Sequence, residues 1–294
     1  MRPRRQHSNL SILMYRPDGR GTGAALVAAL LWTACGGTRG GYPGLNAVLW
    51  VQGAAEYAAA ATGAYEMATR SLELGQADSS WTAATEQEEA HHLLPPAVIL
   101  DVDETVLDNT PYQARLIEDG ERYGAESWAA WVLEARAPAI PGALEFTRSA
   151  ARAGVTVFYV TNRDAPLEEA TRSNLERLGF PLAAETDVIL TRGERSDWNS
   201  DKSSRRRHVA RQYRVLVLVG DDLGDFVAAD RADPAERMVL VERYRERWGT
   251  RWIVLPNPMY GSWERSLLGF SDVSEEEAQR LKQERLDALR PPPE

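Results

Sequence analysis

Five short apolar runs, at residues 97–100, 155–160, 188–190, 215–219 and 253–255, are separated by segments with helical spacing near 142–153, 166–178 and 203–212. Runs this short and rich in Val, Ile and Leu suit strands covered on both faces. A strand followed by a helix and then another strand must cross a face of the sheet, which makes neighbouring strands parallel. The pattern therefore predicts an α/β domain, a parallel sheet flanked by helices. With 294 residues, 44% of them hydrophobic, the chain is long enough to bury such a core.

The residues that end these runs carry the chemistry. The first run passes into Asp101-Val102-Asp103-Glu104, the second into Thr161-Asn162-Arg163, and the fourth into Gly220-Asp221-Asp222-Leu223-Gly224-Asp225. In an open parallel sheet, ligands bind beyond the carboxyl ends of the strands. A single acidic run mostly marks a solvated loop, but three strand ends with complementary chemistry point to one crevice. Crowded carboxylates repel one another and resist desolvation, so a divalent cation is expected to offset them. Asp101 and Asp221 would hold a hard cation such as Mg²⁺ through oxygen, with water filling the remaining positions. A metal beside Asp101 keeps it ionised and available as a nucleophile. Asp103, two residues on, could protonate a leaving group and then activate water. Thr161 and Asn162 supply neutral donors for the oxygens of a transferring phosphoryl group, and Lys202 in "WNSDKSSRRR" supplies charge. Lys202 alone would be an ordinary surface lysine.

Together, "DVDETVLDN", "TNR", "DK" and "GDDLGDF" resemble the four motifs of haloacid dehalogenase (HAD) superfamily phosphohydrolases. More narrowly, they resemble the class C bacterial acid phosphatases, which include outer-membrane lipoprotein 5′-nucleotidases. The likeness runs from about Asn46 ("NAVLWVQGAAEY") through "LPNPMYGSWE" at 255–264. The resemblance implies a Rossmann-like HAD core with a small helical cap and one Mg²⁺ per site. Asp101 would become an aspartyl-phosphate, and Asp103 would be the general acid and base. The metal would be held by Asp101, Asp221 and the main-chain carbonyl of Asp103. Thr161 would contact phosphate, Lys202 would steady the intermediate's charge, and Asp225 would stand second to the metal or reach it through water. An acidic optimum is likewise a family expectation. Asp222 stands where the family often has Asn, which places an extra negative charge near the expected metal. Glu104 is expected to orient Lys202 or cap the next segment, and Asp108 to begin a turn or helix with Asn109.

An insert at about 111–141 is long enough for a small helical cap but not a large lid. Its Tyr112, Trp128 and Trp131, with Tyr260 and Trp263 further on, could stack on a nucleobase or an aromatic ester. Each of these rings is individually more often structural. Together they suit a pocket that accepts a nucleoside, and the family resemblance points to 5′-nucleotides among the phosphomonoesters.

The N-terminal end carries a different message. Residues 24–34, "AALVAALLWTA", follow Arg16 and Arg20 and precede the only cysteine, Cys35. A basic flank, a short apolar core and a small residue at the cut make a secretory signal over 1–34. A cysteine directly after such a cut resembles a bacterial lipoprotein signal, although Trp32 stands where leucine is usual. An ordinary cut nearby or an uncleaved anchor are the other readings, and Met14 is a second candidate start. Lipid on Cys35 would fix an exported protein to the cell envelope, at the outer membrane or another cell surface. Residues 35–45 read as a Gly-rich tether, and 46–75 as an Ala-rich helix stopped by Gly75, whose aromatic residues could contribute to a homodimer. A second helix is expected over 81–92. The domain would span 46–270, with a charged helix and tail at 271–294 opened by Ser274 and Glu277.

Several functions are disfavoured. A net charge of −9 argues against binding a nucleic-acid polymer. One cysteine and four scattered histidines give no zinc site, and the adjacent His91 and His92 read as a solvated turn. No serine-hydrolase elbow, P-loop or dinucleotide fingerprint is present. Dehalogenases of the same superfamily lack the second carboxyl, so Asp103 argues against that activity. Two alternatives stay open: a catalytically silent, metal-holding surface lipoprotein, and a phosphotransferase using the same site.

Overall fold

The apolar runs form one sheet of strands β1 (Pro96–Leu100), β2 (Thr156–Asp164), β3 (Ile189–Arg192), β4 (Arg214–Gly220) and β5 (Trp252–Val254). They pair in the order β3-β2-β1-β4-β5, every pair parallel. The chain steps outward from β1 to β2 and β3, then returns to the other side of β1 for β4 and β5. The carboxyl ends of β1 and β4 therefore border the place where strand order reverses, the usual ligand crevice of such sheets. Register brings the polar strand ends level, since Leu100 pairs with both Tyr159 and Val219. The computed structural model describes residues 44–88, 90–229, 231–270 and 273–289. The signal segment, Cys35 and the tether up to residue 43 lie outside these residues. No described helix is long and apolar enough to cross a membrane.

The expected first helix is two. α1 (Leu45–Gly53) and α2 (Ala55–Ala77) are separated by Ala54, whose backbone is extended. Gly75 does not stop α2 but lies inside it. A Cβ there would press on the Trp81 ring at 2.9 Å, so glycine serves a close approach. Tyr57 and Tyr65 are buried in the chain's own core, and Tyr65 donates to the Thr105 carbonyl at 2.6 Å.

Residues 81–88 are not helical, a correction with a clear cause. β5 pairs only with Leu218–Gly220, which leaves the earlier edge of β4 open. The Trp81 indole donates to the Leu216 carbonyl at 2.8 Å and the Ala83 amide to Val215 at 2.7 Å, which holds the segment extended. Only a short 3₁₀ turn follows, at His91–Leu93.

The remaining helices are α3 (Thr110–Asp119), α4 (Ala125–Leu133), α5 (Ala143–Arg152), α6 (Glu168–Leu178), α7 (Ser203–Ala210), α8 (Pro234–Arg243), α9 (Ser262–Leu267) and α10 (Glu275–Ala288). α3 and α4 occupy the insert after β1. Its end is pinned back to the core where Leu107 bridges Ala139, and where Asn174 of α6 exchanges two hydrogen bonds with Ala137. Ser274 caps α10 by accepting from the Glu277 amide at 3.3 Å.

Candidate active site

Asp101 leaves β1 and Asp221 leaves β4 at adjacent strand ends. A 3₁₀ turn at Leu223–Asp225 then carries Asp225 back over the strand. Gly220 permits this, because a Cβ at that position would run into the Asp225 carboxylate. Oxygens of Asp101, Asp221 and Asp225 all lie within 4.8 Å of one another. The only lysine in contact with them is Lys202, at the start of α7. It ion-pairs with Asp101 and, at 2.7 Å, with Asp225. Asp221 instead takes neutral donors, Thr105 at 3.1 Å and Asn257 at 2.8 Å.

The electrostatics follow from three clustered carboxylates, Asp101 and Asp225 buried and Asp221 partly so, with one ammonium among them. Burial pushes the Asp101 carboxyl up to about 7, against the pull of Lys202. Burial, with the charges of Asp225 and Asp101, holds Asp221 well above the usual carboxylate range. Burial alone would lower Lys202, but the two carboxylates outweigh it and hold it above its ordinary value. Oxygen donors with excess negative charge are the donor set a hard divalent cation needs. The 3₁₀ turn folds Asp225 inward, so that its carboxylate stands beside those of Asp101 and Asp221.

Asp103 stands apart. Its side chain accepts from Arg163 Nη2 at 2.7 Å, from Arg163 Nε at 3.0 Å, and from Asn109 Nδ2 at 2.9 Å. Glu104 has φ of 56°, a left-handed backbone unusual for glutamate. Its buried carboxylate accepts from the Asn109 amide and side chain, and does not meet Lys202. Burial, with the charge of Asp103, raises it well above its ordinary range. Asp108 accepts from the Thr110 amide at 2.8 Å and so opens α3, as its position suggests.

The phosphate donors are differently disposed. The buried Thr161 hydroxyl receives the Arg163 amide at 3.1 Å. The Asn162 side chain is taken up by the 199–205 segment: it donates to the Ser200 carbonyl at 3.0 Å and accepts from Arg205 at 2.6 Å. Asp222 lies outside the cluster of Asp101, Asp221 and Asp225. Its carboxylate caps the 3₁₀ turn through the Gly224 amide and takes Ser262 N–H at 2.7 Å and O–H at 2.6 Å.

Two of the five candidate stacking rings are ruled out by burial. Tyr112 is 2% exposed, its hydroxyl against Ser127, and Trp131 is 4% exposed, its indole bound to Asn109. Both belong to the packing of α3 and α4 on the core. Trp128 lies over the Arg163 guanidinium at 5.6 Å, with the exposed Tyr123 ring 6.2 Å away. Trp263 is 37% exposed and donates to the Tyr260 carbonyl.

Sequence reasoning passed over Arg163, Asn109, Asn257 and the basic run of α7. Arg163 closes "TNR", directly after Thr161 and Asn162. The "RRR" of α7 resembles a solvated face, yet Arg205 and Arg206 are fully buried. Arg205 donates to the Thr161 and Asn199 carbonyls, and burial lowers it to about 10. Arg206 pairs with Glu86 at 2.9 Å and holds the Gly224 and Asp225 carbonyls.

This arrangement has counterparts. Residues 48–263 match the family model described as HAD superfamily, subfamily IIIB (acid phosphatase). The chain is 32% identical to the class C acid phosphatase of Bacillus anthracis, covering 85% of this chain and 98% of that one at a TM-score of 0.73. A tungstate-bound structure of that enzyme matches at 31% identity and a TM-score of 0.72. Among curated proteins, the stem 31 kDa glycoprotein of Glycine max is 26% identical over 59% of this chain. Acid phosphatase 1 of Solanum lycopersicum is 28% identical over 55% of it. The matched stretches span 62% and 57% of those two plant proteins. A single family model covering most of the chain, and a solved relative aligned over nearly its whole length, place this sheet and its acidic crevice in one family: the chain belongs to subfamily IIIB, the acid phosphatases, of the HAD superfamily.

Proposed function

We propose that the protein is a metal-dependent phosphomonoester hydrolase that works through an aspartyl-phosphate on Asp101. The observation that carries this reading is the convergence of Asp101, Asp221 and Asp225 with Lys202, beside a separately held Asp103. Asp101, Asp221 and Asp225 would hold the metal. The hard oxygen donor set favours Mg²⁺, which when bound would supply positive charge for the carboxylates and the phosphate oxygens.

A carboxylate oxygen of Asp101 attacks phosphorus while the bond to the ester oxygen breaks. Asp103 gives its proton to that oxygen. In the second step Asp103 takes a proton from water as the water oxygen attacks phosphorus and Asp101 leaves. Lys202, already touching Asp101 and Asp225, balances the charge that builds up around them. Arg205 holds the Thr161 carbonyl and Asn162, fixing the β2 end whose Thr161 would face the phosphate.

The substrates would be small phosphomonoesters, with 5′-nucleotides favoured by rings at the rim. The half-buried Trp128 and the exposed Tyr123 and Trp263 supply them, with Tyr260 beside Trp263. Export and lipid anchoring through Cys35 belong to the same proposal, and the N-terminal pattern supports them. The test is phosphate release by the native chain and by Asp101→Asn, each with Mg²⁺ or with EDTA. Release that needs both Asp101 and metal is expected. Release that needs neither excludes this mechanism.

A further inference from the structure

Asp103 is held by a set of groups to which neither the motifs nor the proposed reaction assigns a role. The Trp131 indole N–H can only donate, and it reaches Asn109 Oδ1 at 2.8 Å. That fixes the orientation of the buried amide: oxygen toward Trp131, nitrogen toward the carboxylates. Asn109 Nδ2 then donates to Asp103 Oδ1 at 2.9 Å and to Glu104 Oε2 at 3.2 Å. The Asn109 backbone N–H is also fixed, on Glu104 Oε1 at 2.9 Å.

From the other side, Arg163 gives Asp103 Oδ1 two contacts, Nη2 at 2.7 Å and Nε at 3.0 Å. Arg163 is itself pinned by Thr171, which accepts from Nη1 at 3.1 Å, and lies beneath Trp128. Oδ1 therefore faces three N–H groups. Oδ2 receives only the 3.2 Å branch of the bifurcated Nε contact. A hydrogen on Oδ1 would point into donors, whereas Oδ2 has room for one.

We infer that Oδ2 is the oxygen of Asp103 that exchanges the proton with substrate, and that Asn109, Trp131 and Arg163 are positioning residues presenting it. The inference rests on the phosphatase reading above. The proton leaves Oδ2 for the ester oxygen, which keeps the electron pair of the breaking P–O bond as Asp101 forms the new one. Both tryptophans lie on α4, so the packing of the insert sets the aim of the acid. Trp131 acts through Asn109, and Trp128 lies over Arg163.

The test compares two esters on purified, metal-loaded chain. Dinitrophenolate departs without a proton, whereas an alkoxide such as that of glycerol phosphate needs one. Trp131→Phe keeps the ring and removes the N–H. It should raise the ratio of kcat/KM on dinitrophenyl phosphate to that on glycerol phosphate by about tenfold. Arg163→Lys keeps the charge but not the fork, should move the ratio the same way, and decides the matter if Trp131→Phe does not fold. In an Asp103→Asn background neither substitution should move the ratio further, because the acid they serve is gone. A ratio unchanged within about twofold in folded, active variants overturns the positioning roles alone. A shift that persists without Asp103 does so as well. A native chain that releases phosphate from neither ester overturns the phosphatase reading, and this inference with it.

Discussion

Asp101 and Asp103 leave β1 two residues apart and face opposite halves of the site. On the Asp101 side three carboxylates converge: Asp101 and Asp225 share Lys202, and Asp101 and Asp221 are pushed above the usual carboxylate range. On the Asp103 side, one carboxylate meets a bidentate arginine and a locked amide. The first half carries more negative than positive charge, a donor set that a cation could complete. The second is complete within the chain. Strand alternation would put residues two apart on one face; β1 ends at Leu100, so it is the turn beyond it that separates the two side chains. A site that must bind a cation and deliver a proton keeps the two tasks apart in this way.

The comparison predicts unequal responses. Asp101→Asn should reduce phosphate release at least about 10³-fold with the fold intact by circular dichroism, because no other group can take its place at phosphorus. Next in size is the response to metal and pH. Asp101, Asp221 and Glu104 hold their protons more tightly in the folded chain than in the unfolded one. Their contribution to stability is therefore present at low pH and lost as pH rises from the ordinary carboxylate range through about 7. Thermal melts in EDTA should fall in Tm over that window, and Mg²⁺ should close the gap. A Tm that rises over the same window in EDTA would contradict the charge deficit.

The aromatic residues should separate in the same manner. Trp128→Ala is expected to raise KM for a 5′-nucleotide about tenfold in steady-state assays, with a smaller effect on a non-aromatic ester. Tyr112→Ala should instead cost about 3 kcal/mol in chemical denaturation, since its ring is core. The smallest effect belongs to Asp222→Asn. Its carboxylate serves Gly224 and Ser262, so about 1 kcal/mol of stability should be lost. The Mg²⁺ titration should shift by less than about twofold; a larger shift would return Asp222 to the metal half.

Much of this is legible in the sequence. The five strands and their parallel order follow from short apolar runs between helices, a local signal. Asp101, Asp103 and Asp221 stand at strand ends, where the topology of the sheet fixes their neighbourhood. What escaped depends on partners distant in sequence. Residues 81–88 have helical composition, but the open edge of β4 extends them. Gly75 looks like a stop because glycine usually ends helices, and nothing nearby in sequence reveals the Trp81 ring against it. Arg205 and Arg206 sit in a basic run whose burial depends on carbonyls at Thr161 and Gly224. Asn109 was visible in "DVDETVLDN", yet its role depends on an indole 22 positions further on.

The most direct test of the central claim is metal-dependent phosphate release from p-nitrophenyl phosphate and a 5′-mononucleotide by the purified chain, beside Asp101→Asn. The account predicts release by the native chain with Mg²⁺, none in EDTA, and none from the variant under either condition. Equal release by the native chain and the variant, or release that persists in EDTA, would contradict it.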